Sequence, residues 1–237
     1  MATSKMDDTL PTLYMFITAH PDDEAMFFIP TILSLPNPKW ILCLSNGNYD
    51  GLGKQREIEL NRACGLLGFD KVTCLDNPAL LDGPKGLWSK DDINQVLKEH
   101  IPTDRQVHII TFDEGGVSGH TNHRDTYNGV QHFLNEQNIL GGSVQGWALE
   151  TITNPFIKYL PMYHWCMLAW TWFMESHCRT AALPLLESLH VESTCYRPIM
   201  NWKCMSAHET QFVWYRRIFV VFSVYTYYNR IKVMRRE

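Results

Sequence analysis

Over the first two thirds of the chain, short apolar runs alternate with segments whose apolar residues recur at helical spacing. Leu13 to Ala19, Trp40 to Ser45, Val72 to Leu75 and His108 to Phe112 read as strands covered on both faces. Between them, Leu60, Ala63, Cys64 and Leu67 fall on one helical face, and Gly68 follows as a stop signal. Ile93, Val96, Leu97 and His100 repeat that spacing, with Pro102 just beyond. Strand and helix in alternation predict a parallel sheet with crossover helices, and a further strand fits Val144 to Thr151. After Asn154 the pattern loosens into an aromatic-rich segment, and a final helix is expected near Trp202, carrying Met205, His208 and Phe212. No linker is visible. The expectation is one α/β domain over residues 1–237, Rossmann-like, with a mostly parallel sheet, helices on both faces and an unusual C-terminal third from about residue 155. Ligands of such sheets bind outside the carboxyl ends of the strands, so polar clusters that follow strands matter most.

Two such clusters stand out. The first strand runs directly into His20-Pro21-Asp22-Asp23-Glu24, and the apolar run Ala25 to Ile29 then resembles the first turns of a helix. Three carboxylates beside a histidine repel one another, and a bound cation would offset that repulsion. Helix capping accounts for one or two of the acids but not for His20 among them. The fourth strand leads into Asp113-Glu114-Gly115-Gly116-Val117-Ser118-Gly119-His120-Thr121-Asn122-His123, where the glycines permit a tight turn. A helix beginning around His120 to His123 would put both imidazoles on one face. Two histidines and a carboxylate, with a fourth position left to water, make a catalytic zinc site.

Composition narrows the alternatives. With 45% hydrophobic and 19% charged residues among 237, the chain is neither disordered nor a repeat array. The net charge of −4 provides no basic field for nucleic acid, so no nucleic-acid partner is expected. From Val213 onward, however, six basic residues (Arg216, Arg217, Arg230, Lys232, Arg235, Arg236) face Glu237 alone, a net +5 that leaves −9 on the remainder. An aromatic, basic end suits an anionic membrane surface; it equally suits a solvated helix end. The 16 residues between Lys158 and Glu175, including Trp165, Trp170 and Trp172, lack Asp, Glu, Lys and Arg but contain Pro161 and His164. The run Ile218 to Tyr228 has only 11 residues. Neither reads as a membrane span; both suit a core or a membrane interface. Seven cysteines without a C-x-x-C pair, and a start at Met1 to Thr12 unlike a signal peptide, favour a reducing, cytosol-facing location.

Residues Ala19-His20-Pro21-Asp22-Asp23-Glu24 and Gly119-His120-Thr121-Asn122-His123 resemble the LmbE/PIG-L zinc-dependent de-N-acetylases, and within them the eukaryotic N-acetylglucosaminyl-phosphatidylinositol de-N-acetylases of GPI-anchor synthesis. The likeness continues through Ser45-Asn46-Gly47-Asn48, through Arg56 and Glu59, and through Ser206-Ala207-His208-Glu209-Thr210-Gln211 to Trp214-Tyr215-Arg216-Arg217. The resemblance implies one Zn²⁺, or another divalent ion, held by His20, Asp23 and His123. It implies Asp22 as general base and His120 as a stabiliser of the oxyanion. It also implies a glycolipid substrate, N-acetylglucosaminyl-phosphatidylinositol, cleaved to glucosaminyl-phosphatidylinositol and acetate at the cytoplasmic face of the endoplasmic reticulum membrane. The transmembrane helix with which eukaryotic relatives often begin is not seen in this chain, which suggests peripheral attachment. A soluble deacetylase of a small N-acetylglucosaminyl conjugate is the alternative.

Asn46, Arg56 and His208 are candidate substrate contacts. Arg56 can grip a phosphate or sugar, or pair with Glu59 on a solvated helix face. His208 also reads as a buried structural histidine. Gly51-Leu52-Gly53 begins like a dinucleotide fingerprint, but Arg56 occupies the place of its third glycine and the segment follows the second strand. No nicotinamide cofactor is therefore expected.

Overall fold

The computed structural model describes residues 11–83, 87–139, 144–173, 190–195 and 197–235. Of the residues named above, those before residue 11, Glu175, Arg236 and Glu237 lie outside these segments. The five expected strands form close to their sequence limits: β1 (Leu13–Thr18), β2 (Lys39–Cys43), β3 (Lys71–Cys74), β4 (Val107–Phe112) and β5 (Val144–Leu149). Between them lie α1 (Ile29–Ser34), α2 (Gly53–Leu67), α3 (Lys90–His100), the single turn α4 (Gly116–Gly119) and α5 (Thr121–Ile139). Beyond β5 come α6 (Pro155–Tyr159), α7 (Met162–Phe173), β6 (His190–Thr194), α8 (Pro198–Ala207), α9 (Trp214–Phe222) and β7 (Tyr228–Val233).

The sheet order is β3-β2-β1-β4-β5-β7-β6, parallel from β3 to β5 and antiparallel where β7 joins β5 and β6. β1 and β4 are buried at all six of their positions, which requires cover on both faces and explains their unbroken apolar sequences. α5 packs over β1, β4 and β5 with α3 against it, while α1 meets β6 and β7, and α2 packs on β3 and α8. The strand order runs outward in one direction from β1 through β2 to β3, and in the other from β4. The crevice at the carboxyl ends of β1 and β4 is therefore the topological switch point, and both polar clusters open into it.

The C-terminal third departs from the sequence expectation in two respects. The helix near Trp202 stops at Ala207 and does not carry His208 or Phe212. Tertiary bonds override its propensity: His208 Nε2 lies 2.5 Å from Glu24 Oε1 with both side chains fully buried, and Glu59 accepts from the Thr210 amide at 3.0 Å and its hydroxyl at 2.7 Å. Second, β6 and β7 extend the sheet. His190-Val191-Glu192-Ser193-Thr194 has one strongly apolar residue, and its exposed–buried alternation becomes a strand only because β7 pairs with it. The apolar run Ile218 to Tyr228 divides between α9, a tight turn at Val224–Thr226 and the start of β7.

Two buried histidines respond to pH in opposite directions. On β4, His108 accepts from Trp147 Nε1 at 3.2 Å, and burial pushes its pKa down to about 4. The unfolded chain binds the proton first as pH falls from about 6.5, so stability declines between about pH 6.5 and 4, by about 3 kcal/mol at most. In His108→Gln, which keeps an acceptor but does not titrate, urea midpoints should lose that dependence. Burial opposes a charge on His208, yet Glu24 beside it raises its pKa overall. Its contribution is complete below about pH 6.5 and is lost as pH rises through the elevated value. His208→Ala leaves Glu24 buried without its partner and should lower the unfolding free energy at pH 6 by about 3–5 kcal/mol in urea titrations.

Candidate active site and metal centre

After β1 the chain folds back through its own acids. The amides of Ala19 and His20 donate to Asp23 Oδ2 at 3.0 and 2.8 Å, so this carboxylate closes the loop that carries it. Asp22 adopts φ +126°, a region that side-chain-bearing residues rarely occupy, and its amide donates to Glu24 Oε2 at 3.2 Å. Glu24 is held in turn by His208. The helical turn Glu24–Phe28 has no side-chain cap at its start, so capping does not describe what the acids do.

The loop after β4 is pinned by Asp113. Its Oδ1 accepts from the amides of Gly115 and Gly116 at 3.0 and 3.2 Å and from the Thr151 hydroxyl, and its Oδ2 accepts from the Thr151 amide at 2.7 Å. Val117 is held at φ +61° with its carbonyl on Lys158 Nζ at 2.6 Å. Gly116, at φ +59°, turns its carbonyl toward His123 Nδ1, 3.0 Å away. α5 begins only at Thr121, so His120 precedes it in an extended conformation and does not lie a turn below His123 on the same helix. The two rings still converge, with centroids 4.9 Å apart.

The two loops meet at Asp23 and His123. Asp23 Oδ1 lies 3.1 Å from His123 Nε2, and Asp23 Oδ2 lies 4.0 Å from His20 Nδ1. His123 gives its Nδ1 proton to the Gly116 carbonyl, so a neutral ring turns the lone pair of Nε2 toward a carboxylate oxygen. Two acceptors facing each other call for a proton or a metal cation between them. Burial opposes the charge on Asp23, but His123 and His20 hold its carboxyl well below the usual carboxylate range. Burial likewise opposes the charge on His123, and Asp23 raises its pKa overall. One ring nitrogen from each of His20, His120 and His123 lies within 4.8 Å of the others. Nitrogen and oxygen donors sharing one tetrahedral ion stand about 3.4 Å apart, so the donor set fits a single divalent cation.

His20, Asp22, Asp23, His120 and His123 are thus brought into one crevice. Two other candidates have other duties. Arg56 is buried and donates to the carbonyls of Gly47 at 2.9 Å and Pro21 at 3.0 Å, tying the loops after β1 and β2 together. It makes no pair with Glu59, which is engaged by Gln55 and Thr210. A Cβ on Gly47, at φ +67°, would stand 2.1 Å from the Arg56 guanidinium, which accounts for glycine there. His208 is fully buried with its Nε2 against Glu24, so its side chain is not open to a substrate. Asn46 donates to Glu57 at 2.9 Å and borders a cavity of about 200 Å³ with Ser45, Tyr49, Asn77, Leu80 and Asp82.

Three further residues take part, of which only Asp82 had no signal in the sequence. Asp82 lies 3.2 Å from His20 Nε2 and 3.7 Å from Arg56, although Leu81-Asp82-Gly83 reads as an ordinary turn. Burial opposes the charge on Asp82, while His20 and Arg56 lower its pKa overall. Asn122 is fully buried, with Nδ2 3.1 Å from His20 Nε2 and Oδ1 unpartnered. Arg216, placed by the sequence in a basic tail and in the segment Trp214-Tyr215-Arg216-Arg217 that carries the resemblance, reaches from α9 to pair with Asp22 Oδ2 and donates to Gln211 at 3.0 Å.

Comparison with known proteins bears on the family and the fold. Residues 15–134 match the family described as PIG-L: GlcNAc-PI de-N-acetylase. The chain is 33% identical over 225 residues to the N-acetylglucosaminyl-phosphatidylinositol de-N-acetylase of Bos taurus, covering 93% of this chain and 83% of that protein. It is 33% identical over 224 residues to the probable N-acetylglucosaminyl-phosphatidylinositol de-N-acetylase of Schizosaccharomyces pombe, covering 92% of this chain and 85% of that protein. Among solved structures, N,N'-diacetylchitobiose deacetylase from Pyrococcus horikoshii shares the fold at a TM-score of 0.55 and 15% identity, covering 94% of this chain and 83% of that one. A deacetylase of teicoplanin biosynthesis does so at a TM-score of 0.56 and 14% identity, covering 95% of this chain and 98% of that one. With a family match over half of its length and close to full-length identity at one residue in three, the chain belongs to the PIG-L family of GlcNAc-PI de-N-acetylases.

Proposed function

We propose that this protein removes the acetyl group from N-acetylglucosaminyl-phosphatidylinositol, giving glucosaminyl-phosphatidylinositol and acetate, the second step of GPI-anchor biosynthesis. The observation that carries the reading is the opposition of Asp23 Oδ1 and His123 Nε2 at the switch point of the sheet, in a chain of this family. His20, Asp23 and His123 would hold the ion, and their nitrogen and oxygen donors suit Zn²⁺. When bound, such an ion polarises the acetamide carbonyl and acidifies water. A ring nitrogen of His120 also comes within 4.8 Å of those of His20 and His123, and this reading keeps His120 as the oxyanion partner implied by the family resemblance, with the fourth tetrahedral position left to water.

Asp22, next in sequence to Asp23 and held in an unusual backbone conformation, acts as the general base. It takes a proton from water and returns it to the sugar amine as the amide bond breaks. Arg216 competes for the same carboxylate oxygen, and the phosphodiester of the substrate is the anion able to draw it away. His120, exposed at the mouth of the crevice, directs an N–H toward the oxygen on which charge develops. Arg56 positions the base by holding the Pro21 carbonyl beside it. The reading places the reaction at the cytoplasmic face of the endoplasmic reticulum membrane.

Purified protein incubated with N-acetylglucosaminyl-phosphatidylinositol should release free amine, and a chelator should abolish that release while Zn²⁺ restores it. Unchanged turnover in chelator would sink the metal assignment. Asp22→Asn should lose about 100-fold or more in kcat while keeping stoichiometric metal by atomic absorption. His120→Ala should likewise keep its metal and lose on the order of 100-fold in rate. His123→Ala should fail to retain the ion, and a full complement of metal in that variant would remove His123 from the ligand set.

A further inference from the structure

Helix α9 is built inside out. Trp214, Tyr215, Ile218, Val221 and Phe222, five of its nine residues, are large, apolar and exposed, while Arg216 points inward to Asp22 beside half-buried Phe219 and buried Val220. An ordinary surface helix shows the opposite polarity. The apolar surface continues onto α6 and the start of α7, where Phe156, Ile157 and Tyr163 are 73%, 57% and 68% exposed. Ring contacts between Tyr159 and Phe219, at 6.5 Å, and between Trp165 and Phe222, at 5.4 Å, join the three elements into one face. A contiguous patch of this kind marks an interaction surface.

Its charge indicates the partner. Residues 154–173 and 211–235 contain no aspartate or glutamate; Arg217 is exposed beside the rings of α9, while Lys158 and Arg216 turn inward to the Val117 carbonyl and to Asp22. Exposed aromatic rings beside an exposed arginine, with no acid among them, suit the headgroup region of a phospholipid bilayer, where Trp and Tyr settle and cations meet phosphate. No helix among the described residues is long and apolar enough to cross a membrane, so the face suits lying on one. We propose that the outer face of α6, α7 and α9 seats in the headgroup layer of a bilayer and so presents the crevice to a lipid-anchored sugar. The last clause rests on the function proposed above. Position supports it, because α9 is also the helix that brings Arg216 to Asp22.

The test is co-sedimentation of the full, metal-loaded chain with vesicles of phosphatidylcholine, alone or mixed with phosphatidylserine, in the absence of glycolipid. The wild-type protein should sediment with the vesicles, more strongly when phosphatidylserine is present. Trp214→Ser/Ile218→Ser/Phe222→Ser should weaken that binding about tenfold or more. Both proteins should cleave water-soluble N-acetylglucosaminyl-inositol phosphate at equal rates, which shows that the triple variant is folded. Ile157→Glu, at the exposed surface of α6, provides a second, milder variant with the same expected direction. A wild-type protein that stays in the supernatant, or variants that bind as well as wild type, would overturn the proposal. So would a lipid-free dimer in sedimentation velocity that the substitutions dissolve, since the face would then belong to a second copy. Loss of vesicle binding with cleavage intact removes only this inference, whereas intact binding without amine release from the glycolipid removes the function.

Discussion

The Asp23 carboxylate uses one oxygen to accept the amides of its own loop and turns the other toward His123, on a loop from the neighbouring strand. Almost every other feature of the site follows from this division. The two amides shape the turn after β1, in which Asp22 holds its unusual backbone conformation. On the far side, the hydrogen bond from His123 to the Gly116 carbonyl settles which ring nitrogen is left to face Asp23. One carboxylate thus joins two strand ends, and a cation between them completes a contact that is otherwise unfavourable between two acceptors.

Burying this much charge is costly, and the surrounding structure distributes the cost over counter-charges drawn from distant segments. Glu24 finds His208 at the end of α8, Asp22 finds Arg56 from α2 and Arg216 from α9, and Glu59 takes the backbone and hydroxyl of Thr210. An isolated buried carboxylate would oppose folding, whereas paired ones hold the loop segment 208–213 against the parallel core. The C-terminal third is therefore no appendage to the sheet: its ions stabilise the acids of the loop after β1, and its β7 continues the sheet from β5.

α9 joins chemistry to surface. Its inner side supplies Arg216 to the Asp22 carboxylate, and its outer side is an aromatic face without acids. A phosphorylated amphiphile offers partners to both sides at once, a phosphodiester for the guanidinium and a headgroup layer for the rings. A small soluble sugar conjugate offers nothing to the outer face, which is why the membrane glycolipid is the better match to this helix.

The parallel half of the fold was legible from sequence because strands buried on both faces have no choice but to be apolar throughout, as in Leu13–Thr18 and Val107–Phe112. The two polar clusters were legible for a related reason: acids and histidines directly after such strands have no structural excuse, and the switch-point rule says where they meet. What the sequence could not carry were effects that depend on a partner far along the chain. His190–Thr194 becomes a strand only beside β7, α8 ends where Glu24 captures His208, and His120 leaves the helix because Gly116 and Val117 set the turn before it. Arg56 looked like a surface cation until the loops closed over it, and Asp82 looked like a turn until it faced His20. Local composition determined the strands and the ligand types; only long-range packing decided which charge neutralises which, because that depends on distances the linear order does not contain.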